Sequence, residues 1–210
     1  MPEESNPADP AKPLPGDIAA IVLAGGKSTR YGENKAFAEL GGVRLIDRVV
    51  GVLSRVFRSV YIMTNTPEDY AYLKLPMHRD IIEGLGPLGG IYTALRVIPE
   101  PAGFFAACDM PYLNGRLIRH MADYRHKYDV VVPRISGKME ALHAVYGRDC
   151  LPAIQQRIDS GIYQVFRFFP DVSVRYIEEN EIRRCDPGMR SFFNINRPGD
   201  LGKGPGGTAT

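Results

Sequence analysis

Three cations and two glycines gather early in the chain. Ala24-Gly25-Gly26 leads into Lys27, Arg30 and Lys35, and Glu33 is the only acid in that stretch. Glycine lets backbone approach a ligand closely and accepts tight turns. A cationic loop of this kind points to an anion cradle suited to polyphosphate, and an ordinary glycine-rich strand-to-helix turn is the plainer alternative. Further on, Asp109 ends the apolar run Phe104-Phe105-Ala106-Ala107-Cys108. A carboxylate there is costly unless it is paired or metal-bound. It suits Mg²⁺, which takes one or two protein carboxylates and shares its remaining shell with phosphate and water. The competing role is capping a helix that begins near Leu113. Asn194 and Asn196 flank Ile195, and an extended backbone puts both amides on one face, within reach of such a metal. Turn chemistry before Pro198 explains the isolated pair equally simply. His143 is an acid–base candidate, although a lone histidine is more often a satisfied structural group. Arg134 and Lys138 could meet an acidic substrate or simply be solvated.

Two phosphate-binding look-alikes are excluded by spacing. Gly26-Lys27-Ser28 resembles the end of a P-loop, but the first glycine of that motif would fall on Ile21. The dinucleotide fingerprint fails because Gly25-Gly26-Lys27-Ser28-Thr29-Arg30 lacks glycine at its third and sixth places.

The cradle needs a rigid strand before it, and Ile18-Ala19-Ala20-Ile21-Val22-Leu23 is an unbroken apolar run that reads as a strand buried on both faces. Helical spacing follows over residues 45–57, then a strand over 59–63 and an Asn65-Thr66-Pro67 turn into a short helix. A weaker strand candidate covers 78–82. It precedes the second glycine loop, Gly84-Leu85-Gly86-Pro87-Leu88-Gly89-Gly90, and a helix from about residue 90 to 98. Further strands are expected at 104–108, 129–133, 141–146 and 172–177, with helices at 113–124 and 149–158. This alternation predicts an α/β, Rossmann-like three-layer fold with a mostly parallel sheet and helices on both faces. Ligands of such folds sit beyond the C-terminal strand ends, where Ala24, Gly25, Asn65, Asp80 and Asp109 would converge.

At 210 residues the chain suits one domain. Residues 1–17, with five prolines, read as a disordered extension, 18–201 as the folded domain, and 202–210 as a flexible tail. Hydrophobic content of 44% and charged content of 24% are ordinary for a soluble protein, and a net charge of +2 argues against a nucleic-acid surface. Cys108, Cys150 and Cys185 are odd in number and contain no C-x-x-C, which fits a reducing cytoplasm. No apolar stretch approaches the roughly 18 residues of a membrane span.

Taken in order, Leu23-Ala24-Gly25-Gly26 with Ser28, Arg30, Gly32 and Lys35, then Gly86-Pro87-Leu88-Gly89-Gly90, Cys108-Asp109-Met110-Pro111, Leu142-His143-Ala144-Val145-Tyr146 and Phe193-Asn194-Ile195-Asn196 resemble the MobA-type molybdenum cofactor guanylyltransferases. These belong to the nucleotidyltransferase superfamily, and the resemblance covers residues 18–201. Tyr31 stands where that family usually has methionine, and the N-terminal extension is unusual for it.

The resemblance implies a Mg²⁺-dependent transfer of GMP from GTP to the terminal phosphate of Mo-molybdopterin. By the same analogy, Leu23, Ala24, Gly25 and Gly26 form the guanine-nucleotide loop, while Arg30 and Lys35 face the triphosphate. Asn65 and Asp80 add nucleotide contacts. Asp109 holds Mg²⁺ with Asn196 as its partner and Asn194 as the alternate, and Gly89, Gly90 and His143 lie towards the pterin. Lys35, Arg30 and Asp109 are then the catalytic set. The implied partners are GTP, Mo-molybdopterin and other proteins that make or accept the molybdenum cofactor, with no nucleic acid or membrane and a monomeric or weakly oligomeric state. A cytidylyltransferase acting on molybdopterin or another small phosphate remains open, as does a non-catalytic nucleotide- or molybdopterin-binding module.

Overall fold

The computed structural model describes residues 12–25, 34–195 and 200. Its first strand, β1 (Ile18–Leu23), is buried along its whole length. Ile18, Ala20 and Val22 face one core, while Ala19, Ile21 and Leu23 face the other. The strand therefore lies at the centre of the sheet. On one side β1 pairs in parallel with β4 (Val60–Met63), and on the other with β6 (Ala102–Ala107).

A small antiparallel hairpin, β2 (Glu39–Leu40) and β3 (Val43–Arg44), precedes α1 (Leu45–Val56). Beyond β4 come α2 (Pro67–Tyr70) and β5 (Met77–His78), then α3 (Pro87–Val97) ahead of β6. The second half runs α4 (Gly115–Ala122), β7 (Val130–Ile135), β8 (Lys138–Met139), β9 (His143–Gly147), α5 (Leu151–Asp159), β10 (Val174–Glu178) and α6 (Glu179–Cys185). The main sheet is ordered β10-β7-β9-β6-β1-β4-β5, with β8 paired to β7. Along that order only β9 runs antiparallel to its neighbours. Apolar residues of α1, α4 and α6 cover one face, and those of α3 and α5 the other. The expected three-layer α/β architecture is what forms.

Chain order reverses at β1, whose following strands lie on opposite sides of it. Such a switch point opens a crevice at the carboxyl ends of the two diverging strands. Here those ends are Leu23 and Ala107, paired across the sheet.

Several boundaries differ from the expectation, each for a local reason. The strand expected over 78–82 stops at His78 because the Asp80 N–H donates to Asn65 Oδ1 (2.9 Å) rather than to a ladder. Helix α3 begins at Pro87, earlier than residue 90, with Gly86 at φ +59° ahead of it. Proline suits a first helical position because its missing N–H would be unpaired there anyway. The extension expected to be disordered through residue 17 is packed near its end. Leu14 is buried and its N–H donates to Val56 O (2.7 Å), while Asp17 pairs with Arg125 and His126. Residues 1–11 and the tail 202–210 lie outside the described residues.

Candidate active site

The first glycine loop grows from three strand ends tied together. Leu23 O accepts from Cys108 N–H (3.2 Å), and the Ala24 N–H donates to Met63 O (2.9 Å). Leu23-Ala24-Gly25 is thereby held between β4 and β6, with its backbone at the crevice. Gly26 and Arg30, both named from the sequence, lie outside the described residues. Lys35 opens a short 3₁₀ turn, Lys35–Phe37, capped by Asn34, whose Oδ1 accepts from Ala36 N–H (3.2 Å). The lysine ammonium reaches Asp109 Oδ2 at 2.6 Å, with the two side chains 13% and 20% exposed. A pair so shielded escapes the solvent screening that makes surface ion pairs weak.

Asp109 does not cap the following helix. Asn114 does, accepting from the N–H groups of Arg116 (2.9 Å) and Leu117 (3.3 Å). The carboxylate is left for other work, and its Oδ1 is buried with no hydrogen-bond partner among the described residues. Asn194 Oδ1 is in the same condition. The two segments are joined, since the Ile195 N–H donates to Asp109 O (3.1 Å), Asn114 N–H donates to Ser191 Oγ (3.1 Å), and Tyr112 packs on Phe193. Residues 193–195 form no strand, and the backbone at Ile195 is tied to Asp109 by that tertiary bond. Asn196 lies outside the described residues. Two hard oxygens lacking partners suit a cation such as Mg²⁺. Among the described residues no group of three or more His, Cys, Asp or Glu forms a self-sufficient metal cage. Cys108 adds no nucleophile: burial, with the neighbouring Asp109 charge, pushes its thiol up to about 12.

Asn65 and Asp80 lock each other. Asn65 Nδ2 donates to Asp80 Oδ2 (3.0 Å), and Asn65 Oδ1 accepts from the Asp80 N–H (2.9 Å). Burial raises the Asp80 pKa, the Asn65 bond opposes this, and Glu83 adds repulsion. Gly89 and Gly90 are buried in α3 and do not line an open surface. A Cβ at Gly90 would meet Leu23 Cδ2 at 2.8 Å, and one at Gly89 would meet Ile82 O at 3.2 Å. Their absent side chains let α3 approach Leu23 and the Asp80 segment.

His143 is fully buried, with its ring against Phe104 and Phe192 at 5.0 Å each and both nitrogens without partners among the described residues. Burial pulls its pKa down to about 3, against an opposing pull from Asp186. It is a neutral core side chain here, which corrects the expectation that it faces a ligand. A cavity of about 740 Å³, lined by residues such as Met139, Arg157, Arg167 and Tyr176, shares no residue with the strand-end site.

Sequence reasoning missed Tyr70. Its buried hydroxyl donates to Ala24 O (3.2 Å) and accepts from Asn34 Nδ2 (2.9 Å). The only sequence signal was its place on the short helix after Asn65-Thr66-Pro67.

A cationic turn, a metal-suited carboxylate and glycine-loop backbone meeting at the switch point define a nucleotidyltransferase type of protein. More narrowly, the chain belongs to the MobA-like NTP transferase family, whose domain model matches residues 20–175. It is 39% identical over 183 residues to a Pelotomaculum thermopropionicum protein named "Probable molybdenum cofactor guanylyltransferase", covering 87% of this chain and 89% of that one. A Desulfosudis oleivorans protein named molybdenum cofactor guanylyltransferase is 36% identical over 188 residues, covering 89% and 93%. Among solved structures, molybdopterin-guanine dinucleotide biosynthesis protein A of Archaeoglobus fulgidus aligns with a TM-score of 0.78 at 26% identity, covering 89% of this chain and 96% of that one.

Proposed function

We propose that this chain is a molybdenum cofactor guanylyltransferase, transferring GMP from GTP to the terminal phosphate of Mo-molybdopterin. The observation that carries this reading is the Lys35–Asp109 pair at the switch-point crevice, with Asp109 Oδ1 buried and without a partner among the described residues. The relatives' names support guanylyl transfer, and nothing favours the cytidylyl alternative or a non-catalytic module.

In the proposed reaction a terminal phosphate oxygen of the pterin attacks the α-phosphorus of GTP. A new phosphoanhydride bond forms, the bond from the α-phosphorus to the bridging oxygen breaks, and pyrophosphate leaves with that electron pair. Leu23, Ala24 and Gly25 present backbone to the nucleotide, and Asn65 with Asp80 forms a rigid second contact. Lys35 leaves Asp109 for phosphate oxygens as charge grows on the α-phosphate and the departing pyrophosphate. Arg30 is assigned to the same triphosphate. Asp109, with Asn194 or Asn196, would hold Mg²⁺, which when bound supplies Lewis-acid neutralisation of phosphate charge. Catalysis is otherwise positioning of two anionic substrates.

No helix among the described residues is long and apolar enough to cross a membrane. We assign the chain to the cytoplasm because Cys108, Cys150 and Cys185 are free thiols.

The test is thermal melting with Mg²⁺ and GTP, CTP or ATP, followed by pyrophosphate release with GTP and Mo-molybdopterin. A ligand at a hundredfold excess over its Kd adds about 2.7 kcal/mol. Stabilisation by GTP together with pyrophosphate release is expected. Stabilisation by CTP alone would move the activity to cytidylyl transfer.

A further inference from the structure

We infer that Tyr70 is a positioning residue for the nucleotide, acting through Asn34 on Lys35 and directly on Ala24. The inference rests on the guanylyltransferase reading and extends it to a residue that touches neither substrate nor metal.

Tyr70 has no exposed surface, and its ring packs on Phe37 with centroids 5.0 Å apart. A buried phenol needs partners for its hydroxyl, because an unpaired polar group in the core is costly. The partners it takes are all functional neighbours. The hydroxyl donates to Ala24 O, the carbonyl of the nucleotide loop, and accepts from Asn34 Nδ2. Asn34 Oδ1, itself 3.3 Å from the Tyr70 hydroxyl, also receives the Ala36 N–H, which winds the turn from which Lys35 projects. One hydroxyl thus joins Ala24, on one side of the cationic stretch in the sequence, to Asn34 on the other.

Tyr70 also closes α2, the short helix that starts two residues after Asn65. Two elements expected to meet GTP, the β1 end and the Lys35 turn, therefore meet at this hydroxyl, which sits on the helix that follows the Asn65 segment. Burial pushes the phenol well above its usual range, opposed by the Asn34 bond, so it stays protonated and keeps donating. The ring alone would fill the same space. The hydroxyl is what fixes the relative placement of Ala24 and Lys35, and misplacement of a charge-stabilising group lowers rate.

The experiment compares the full chain with Tyr70→Phe, Asn34→Ala and the double variant. Amide exchange at Ala36 and Phe37 is followed beside steady-state kinetics with GTP. The Ala36 N–H is held by Asn34 Oδ1 and the Phe37 N–H by Asn34 O. Loss of one buried hydrogen bond corresponds to about tenfold. Tyr70→Phe is therefore expected to speed exchange at both amides about tenfold, with Val131 in β7 unchanged. It is also expected to lower kcat/KM for GTP by about tenfold, mainly through kcat. Asn34→Ala should do likewise, and the double variant should fall within about twofold of the worse single variant, because both break one path.

A purely structural role would give kinetic losses that multiply, or a lowered melting temperature with kcat intact, and either result overturns the inference. Unchanged exchange at Ala36 and Phe37 overturns it as well, whatever the kinetics. A parent chain that exchanges as expected but turns over no GTP would instead sink the guanylyltransferase reading and leave the link between Tyr70 and the Lys35 turn standing.

Discussion

Lys35 Nζ lies 2.6 Å from Asp109 Oδ2, although the two residues are 74 positions apart. The contact joins the turn after the glycine loop to the end of β6. It is a preformed charge arrangement in which the lysine balances the carboxylate. Lys35→Met should lower kcat by about 10²–10³, the scale for removing one preorganised donor, while the unfolding midpoint moves little. Parallel measurement of pyrophosphate release and thermal melting decides this. A loss of stability matching the loss of rate would assign the lysine to folding.

Asp109→Ala should abolish Mg²⁺-dependent turnover and leave the far-UV circular dichroism intact. Removing the carboxylate takes away the buried Oδ1 that suits a cation as well as the Lys35 partner. Titration with Mg²⁺ in the presence of GTP provides the check: near-normal turnover by the variant would remove the metal role.

Gly90→Ala separates binding from stability. A Cβ there would stand 2.8 Å from Leu23 Cδ2, so Leu23 must shift. Alanine gains about 1 kcal/mol over glycine in a helix, which offsets an overpacking cost of about 1–3 kcal/mol. Stability should change by no more than about 2 kcal/mol, whereas KM for GTP should rise severalfold. An unchanged KM would show that Leu23 does not set the nucleotide site.

His143 predicts a pH dependence of stability. Burial lowers its pKa in the folded chain to about 3, below the ordinary value of 6.5. Between those values the unfolded chain binds a proton that the folded chain refuses, so stability falls as pH falls. The slope reaches about 1.4 kcal/mol per pH unit. Relative to a His143→Leu variant, the parent should lose about 2 kcal/mol more on going from pH 7 to pH 5. Urea denaturation at the two values measures it, and identical slopes would show that His143 is solvated.

Local pattern made much of this protein readable. The unbroken apolar run of β1, the helical spacing of α1 and the apolar approach to Asp109 each depend on neighbours in sequence, because burial on two faces or on one stripe leaves a periodic mark. The glycine loop, Asn65, Asp80 and Asp109 could be placed at strand ends for the same reason. Elements with weak local marks were missed or misplaced, among them the short hairpin β2–β3, helix α6 and the packed segment around Leu14. His143 looked available for chemistry because nothing beside it in the sequence shows Phe104 and Phe192 enclosing its ring.

By itself, then, the sequence determined the alternating α/β architecture, the cationic glycine loop and the carboxylate at the end of an apolar strand. Tertiary structure alone decided that Lys35 pairs with Asp109, that the Ile195 N–H bonds the carbonyl of the same residue, and that Tyr70 joins Ala24 to Asn34. The division has a physical cause. Periodicity reports which face of an element is buried, whereas a hydrogen bond across the chain is specified by three-dimensional geometry and leaves no period to read.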